Sequence, residues 1–183
     1  MKKIAFILSL LTIAFTAFAQ NNGTTSGSGM PIDPATGLVT YEGIIDEEAN
    51  AEVLYQRALE WFNKFYPNAR GVLKEQDKEN GKITGKHKFR IQIKDDKGVA
   101  TDAGFIIYDI KIWVKDNKYR YRISDIHLEY VTHFGIEEWM NETNKDKDGA
   151  RKLAEIDKFM KNLVENLKKG MEPKPEEFDE DKW

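Results

Sequence analysis

The tightest constraint on this chain is a period of two. From 82 to 93, Ile83, His87, Phe89, Ile91 and Ile93 alternate with Lys82, Thr84, Lys86, Lys88, Arg90 and Gln92. Successive side chains of a strand point to opposite faces, so this run predicts a β-strand with one dry face and one wet face. The pattern recurs from Ala103 to Lys115. There Ile106, Tyr108, Ile110, Ile112 and Val114 form one set, and Phe105, Ile107, Asp109, Lys111, Trp113 and Lys115 the other. Half-buried strands of this kind belong to antiparallel sheets that keep one face in water.

The turns between these runs are short. Glu79-Asn80-Gly81-Lys82 suits a hairpin with positive φ, Asp95-Asp96-Lys97-Gly98 makes the next turn, and Asp116-Asn117 the third. Gly71–Asp77 and Lys118–Tyr130 read as the strands on either side. In the latter the phase slips. Tyr119, Tyr121 and Ile123 are apolar at odd positions, whereas Ile126, Leu128 and Tyr130 are apolar at even ones. A β-bulge near Ser124-Asp125 would keep both sets on the core face. Leu38–Ile45 is a further strand. Gly85 within the third strand implies a bulky neighbour or a bend.

Two helices complete the pattern. Asn50 is a fitting N-cap, and Leu54, Ala58, Trp61, Phe62 and Phe65 line one helical face before Pro67 ends it. Arg151–Lys169 carries the stripe Leu153, Ile156, Met160, Leu163 and Leu167, with Gly170 as C-cap. The order β-α-β-β-β-β-α predicts a two-layer α+β fold, an antiparallel sheet of five strands with both helices on one face.

The ends of the chain read differently. Lys2 and Lys3, the apolar run Ile4–Phe15 and the triplet Ala17-Phe18-Ala19 compose a signal peptide over residues 1–19, with Gln20 as the mature N-terminus. Its removal leaves 26 basic and 31 acidic residues, a net charge of −5 against −3 for the whole chain. Residues 20–37 read as a flexible leader and 38–130 as the folded domain. Residues 131–170 read as a polar insert with one helical turn near Ile136–Met140, followed by the C-terminal helix. Residues 171–183 read as an acidic disordered tail. The chain has no cysteine, which excludes disulfides, thiolate chemistry and lipoprotein attachment. The expected location is the periplasm or the medium, with no membrane anchor after cleavage.

The run Asn50-x-x-x-Leu54-Tyr55-x-Arg57-Ala58-x-x-Trp61 is followed by Asp77-x-x-x-Gly81-x-Ile83-x-Gly85 and by Lys115-Asp116-x-Lys118-Tyr119-Arg120. Behind a signal peptide, residues 38–130 thus resemble a family of secreted Bacteroidetes proteins, a domain of unknown function with a TATA-binding-protein-like (TBP-like) fold. The resemblance implies a curved antiparallel sheet backed by helices. It implies no activity, and a fold alone carries no function.

Catalytic chemistry finds little purchase. The mature chain has three serines, and Ser124 beside Asp125 and near His127 lacks the strand–turn–helix setting of a nucleophile. His127 and Glu129 share a strand face, with His133 close by in sequence, but no metal-ligand motif accompanies them, and His87 falls on the apolar phase as a hydrogen-bonded core residue. Asp109 stands mid-strand, and a cross-strand ion pair with Arg120 or Arg122 is its expected role. No phosphate-binding loop or other cofactor motif is present, so no cofactor is expected.

The remaining lead is charge. Residues 82–122 hold eleven Lys/Arg against five Asp, a net of +6, whereas Glu172–Trp183 holds six acids against two lysines. The strand phases put Lys88, Arg90, Lys111, Lys115, Arg120 and Arg122 around Trp113 on the face away from the helices. An aromatic ring among cations suits an acidic ligand or glycan, or an acidic partner protein of the envelope. An exported chain rarely meets the genome, so nucleic acid is not an expected partner. Two other readings compete. One is an envelope hydrolase using Asp109 or the His127/Glu129 pair. The other is self-association through the C-terminal helical stripe.

Overall fold

The computed structural model describes residues 24–25, 29–129, 134–141 and 146–174. The signal-peptide reading, Tyr130, His133 and the tail beyond Lys174 lie outside the described residues.

Each period-two run forms a long strand. Strand β3 (Tyr41–Asp46) precedes helix α1 (Ala51–Phe65) and the single turn α2 (Ala69–Val72); β4 (Leu73–Asp77), β5 (Lys82–Lys94), β6 (Ala100–Lys115) and β7 (Lys118–Leu128) follow in hairpin succession. Two short strands, β1 (Thr24–Thr25) and β2 (Pro31–Ile32), pair ahead of them, and β8 (Phe134–Gly135) pairs with β7. A 3-10 turn spans Ile136–Met140, and helix α3 covers Gly149–Met171. The main sheet runs β3-β7-β6-β5-β4, antiparallel throughout. The expected α+β architecture therefore stands, with six strands in the main sheet and three α-helices among the described residues in place of five and two.

The strand phases hold. Ile106, Tyr108, Ile110, Ile112 and Val114 are all buried, as are Tyr119, Tyr121, Ile123 and Ile126 of β7. The phase slip in β7 is a bulge: Asp125 adopts φ 55°, and Asp125 with Ile126 opposes the single residue Tyr108, between the pairs Asp109↔Ser124 and Ile107↔His127. A second bulge went unforeseen. Gly104, at φ 98°, and Ala103 together oppose Ile91, which extends β6 back to Ala100 and turns Asp102 to the same face as Phe105.

Helix α1 starts as expected. The Asn50 side chain accepts from the Val53 N–H at 2.9 Å, and the Asp116 carboxylate accepts from the Ala51 N–H at 2.8 Å, which ties the helix to the β6–β7 turn. Its aromatic face meets the sheet where Gly85 makes room. A Cβ there would lie 2.8 Å from the Phe62 ring and 3.2 Å from Ile110. Helix α3 lies beside it on the same face. Leu153, Ile156, Met160, Leu163 and Leu167 are buried, and Phe159 stacks on Phe89 at 3.6 Å between centroids. The stripe is thus part of the core and leaves no surface for self-association through it.

Three boundaries differ from expectation. Folded structure begins ahead of Leu38, because Met30 is wholly buried and Thr40 N–H donates to the Pro31 carbonyl. Met30, Ile32 and Ala35, scattered in a polar stretch, set no strand or helix period, which is why it reads as leader. Residues 69–72 form a helical turn capped by Asn68, so the strand expected from Gly71 starts at Leu73. Gly170 is not the C-cap: α3 continues to Met171, and Gly170 instead lets Trp61 approach, with a hypothetical Cβ only 2.5 Å from its ring. Met30→Ala should therefore destabilise the domain by about 2–5 kcal/mol, as a core truncation does. Urea unfolding checks it, and a loss under about 0.5 kcal/mol, the size of a surface change, would return Met30 to the leader.

Candidate functional site: the open sheet face

The helices cover one face of the sheet and, among the described residues, leave the other without a packed helix. Register lines up its side chains in rows. One row reads Ile44, Arg120, Trp113, Lys82 and Asp77 across β3, β7, β6, β5 and β4; the next reads Glu42, Arg122, Lys111, Thr84 and Glu75. Trp113 is half-buried at the centre, with the Arg120 guanidinium carbon 5.3 Å from its ring centroid. Ile44, 67% exposed, lies in the same row.

The seven residues expected at the site fall into two groups. Trp113, Lys111, Lys115, Arg120 and Arg122 gather over β6 and β7. Lys88 and Arg90 stand further along β5 and flank Phe105, each with its cationic centre 4.9 Å from that ring. Phe105 and Trp113 are eight residues apart on β6, or about 26 Å at strand rise.

The linear charge excess does not survive folding. Carboxylates from outside residues 82–122 come to meet the cations. Arg120 pairs with Glu42 at 3.0 Å, Arg122 with Asp33 at 2.5 Å and Glu42 at 3.5 Å, Lys82 with Glu75 at 2.8 Å, and Lys88 with Glu129 at 2.8 Å. Arg90 lies 3.7 Å from Asp102. The Ala35 N–H, and after it Arg122, hold the Asp33 carboxyl below its ordinary range. Among the described residues Lys111 and Lys115 have no ion-pair partner. Lys111 sits in register with Arg122, and Lys115 with Lys118. Beside Trp113 the face thus keeps cationic charge that no described carboxylate offsets.

Asp109 pairs with Lys86 at 3.3 Å, not with Arg120 or Arg122, because register sets it opposite Lys86 on one side and Ser124 on the other. Lys86 also reaches Asp125 at 3.4 Å. The His127 Nδ1 lies 2.7 Å from the Asp125 carbonyl oxygen, and Glu129 turns to Lys88. Asp109 and His127 are thus joined through Lys86 and Asp125, whereas Glu129 is held apart by Lys88. Among the described residues no group of three His, Cys, Asp or Glu side chains is placed to hold a metal. His87 lies against the Tyr66 ring at 4.8 Å, and burial lowers its pKa. Its Nδ1 is buried without a hydrogen-bond partner among the described residues, which corrects the expected hydrogen-bonded role.

Sequence reasoning missed Ile44, Glu42 and Asp33. The first two alternate with Tyr41, Gly43 and Ile45, so strand parity could have placed them on the open face. Their neighbours could not be found without register.

The comparisons with known proteins bear on this sheet. Residues 41–129 match the family model described as a domain of unknown function (DUF4468) with TBP-like fold. Over that stretch the chain is similar to the DUF4468 family. The solved structures agree in fold. A DUF4468 family protein from Bacteroides ovatus ATCC 8483 superposes with a TM-score of 0.65 at 14% identity, covering 81% of this chain and 92% of that one. A TBP-like protein from Parabacteroides distasonis ATCC 8503 gives 0.64 at 20% identity, covering 78% and 96%. At such identities the likeness speaks for the fold alone. No curated protein matches the chain. The DUF4468 match spans β3 through β7 and thus every strand that contributes Trp113, Lys111, Lys115, Arg120 and Arg122. It stops short of α3.

Proposed function

We propose that this protein is a non-catalytic binding module, exported to the cell envelope, whose open sheet face takes an acidic glycan at Trp113. One observation carries the reading: a half-buried tryptophan on a sheet face that, among the described residues, no helix covers, with Arg120 over its ring and with Lys111 and Lys115, which have no ion-pair partner among those residues, on the same face. Sugar rings stack on indole, and carboxylates or sulfates answer the cations. The signal-peptide reading of residues 1–19 supports the envelope location.

Polygalacturonate is a suitable probe for the mature chain. Trp113→Ala and Arg120→Glu should each weaken its binding about tenfold, the loss of one stacked or charge-assisted contact, while far-UV circular dichroism stays unchanged. Glu42→Gln should have the opposite effect, because Glu42 holds both Arg120 and Arg122 and competes with an incoming anion. Binding that is absent in the wild type, or untouched in both weakening variants, rejects this face as the site. The hydrolase alternative loses support because Asp109, His127 and Glu129 are engaged by different partners.

A further inference from the structure

Among the described residues nothing closes one edge of the sheet. β4 pairs with β5 only from Leu73↔Gly85 to Asp77↔Lys82. Beyond Gly85 the strand continues to Lys94, paired with β6 on one side alone. Among the described residues no backbone group of Lys86–Lys94 bonds to any segment on the outer side. In an antiparallel strand alternate residues aim both N–H and C=O outward, so roughly four residues of this stretch present a ready ladder.

The side chains along the edge are sorted by face. Lys86, Lys88 and Arg90 lie on the open face, followed by Gln92 and then Lys94, which has no ion pair among the described residues. The stretch contains no acid. Its cations meet Asp125, Glu129 and Asp102 in exposed pairs, which contribute little and exchange readily, and Lys86 also reaches the half-buried Asp109. On the helix side the edge shows the partly exposed Phe89–Phe159 stack. At its β4 end a groove of about 350 Å³ opens between Val72, His87 and Ile107, with the unpartnered His87 Nδ1 beside it.

We propose that the Lys86–Lys94 edge of β5 receives an extended peptide segment of a partner protein as an added strand, with acidic residues alternating with apolar ones. The acidic set lies beside Lys86, Lys88 and Arg90, and the apolar set covers the Phe89–Phe159 stack. The backbone ladder supplies affinity and the alternation supplies selection. A second copy of this chain does not fit, because edge-to-edge pairing would set Lys86, Lys88, Arg90 and Lys94 against the same cations. The same charges that keep copies apart select an acidic strand. This surface is separate from Trp113, so the two proposals fail independently.

The test uses the mature chain and a labelled peptide of about ten residues alternating Glu and Val, long enough to pair as one strand. Three control peptides accompany it: a Lys/Val alternation, a block of Glu followed by Val, and the Glu/Val peptide N-methylated on the residues that would pair. Fluorescence anisotropy should show binding of the Glu/Val peptide alone. Hydrogen exchange should slow at the amides of Lys86–Lys94. Lys88→Glu/Arg90→Glu, a surface change, should weaken binding at least about tenfold, whereas Trp113→Ala should leave it intact. No binding, binding that survives N-methylation, or equal binding of the Lys/Val peptide overturns the proposal. A dimer in sedimentation that slows exchange at Lys86–Lys94 overturns it as well.

Discussion

Raising the pH above 10 should unfold this domain steeply. Burial raises the pKa of each of the six described tyrosines above the ordinary 10.0. Tyr41, Tyr66, Tyr108 and Tyr119 are shifted furthest, and all four are nearly inaccessible. Tyr66 and Tyr108 share a buried hydroxyl–hydroxyl bond of 3.0 Å, and the Tyr41 hydroxyl donates to Asp157 at 2.8 Å. In the native state these phenols keep their protons, whereas in the unfolded chain they lose them near pH 10. The native state then binds more protons, so stability is fully present below pH 10 and falls as pH rises beyond it. Each such phenol contributes a slope of about 1.4 kcal/mol per pH unit, so four together give roughly 5 kcal/mol per unit. A typical domain stability of about 5–15 kcal/mol is consumed within a few units. Tyrosinate absorbance and far-UV circular dichroism should change together in one cooperative step. Tyrosines that ionise at their ordinary pH while the sheet signal persists would contradict the burial described.

Trp61→Ala should be the most damaging single truncation, with a loss of about 3–5 kcal/mol. Trp61 is 3% exposed, stacks on Phe65 at 5.2 Å, meets Phe62 edge-on at 5.0 Å, and donates its Nε1–H to Asn166 at 2.9 Å. It is the point where α1 locks to α3, over the gap that Gly170 provides. Removal leaves a cavity and strips Asn166 of its partner. A loss below about 1 kcal/mol in urea unfolding would show that the two helices do not depend on this contact. The companion variant Gly170→Ala sharpens the test. In the wild type its methyl group collides with the indole. In the Trp61→Ala background the collision is gone, and alanine should recover up to about 1 kcal/mol through its better helix propensity. A cycle without this change of sign would separate Gly170 from Trp61.

Strand identity was legible because half-buried strands write their two faces directly into alternating residues. The β7 bulge was legible for the same reason, since a phase slip is visible in Tyr119–Ile123 against Ile126–Leu128. The Gly104 bulge was not, because Ala103 and Gly104 contribute no apolar marker to slip. The open face was legible as a list of side chains around Trp113, and only in that sense. Its electrostatics depend on which acids sit opposite, and that depends on register. Glu42 and Asp33 lie far from Arg120 and Arg122 in sequence, and Lys86 rather than an arginine meets Asp109. One residue of slip in any pairing would have produced a different set of partners.

The main-chain N–H of Val39 donates to Glu137 at 2.7 Å, and Met30 and the α3 stripe lie in the same core as the sheet. The stretch that the family model matches is therefore smaller than the stretch that packs into one core. A gene cut at 41 and 129 would keep the strands that carry Trp113 and discard Met30 and the α3 stripe, which keep water off part of their apolar back surface. The family model ends at 129, whereas the single core runs from Met30 through Met171.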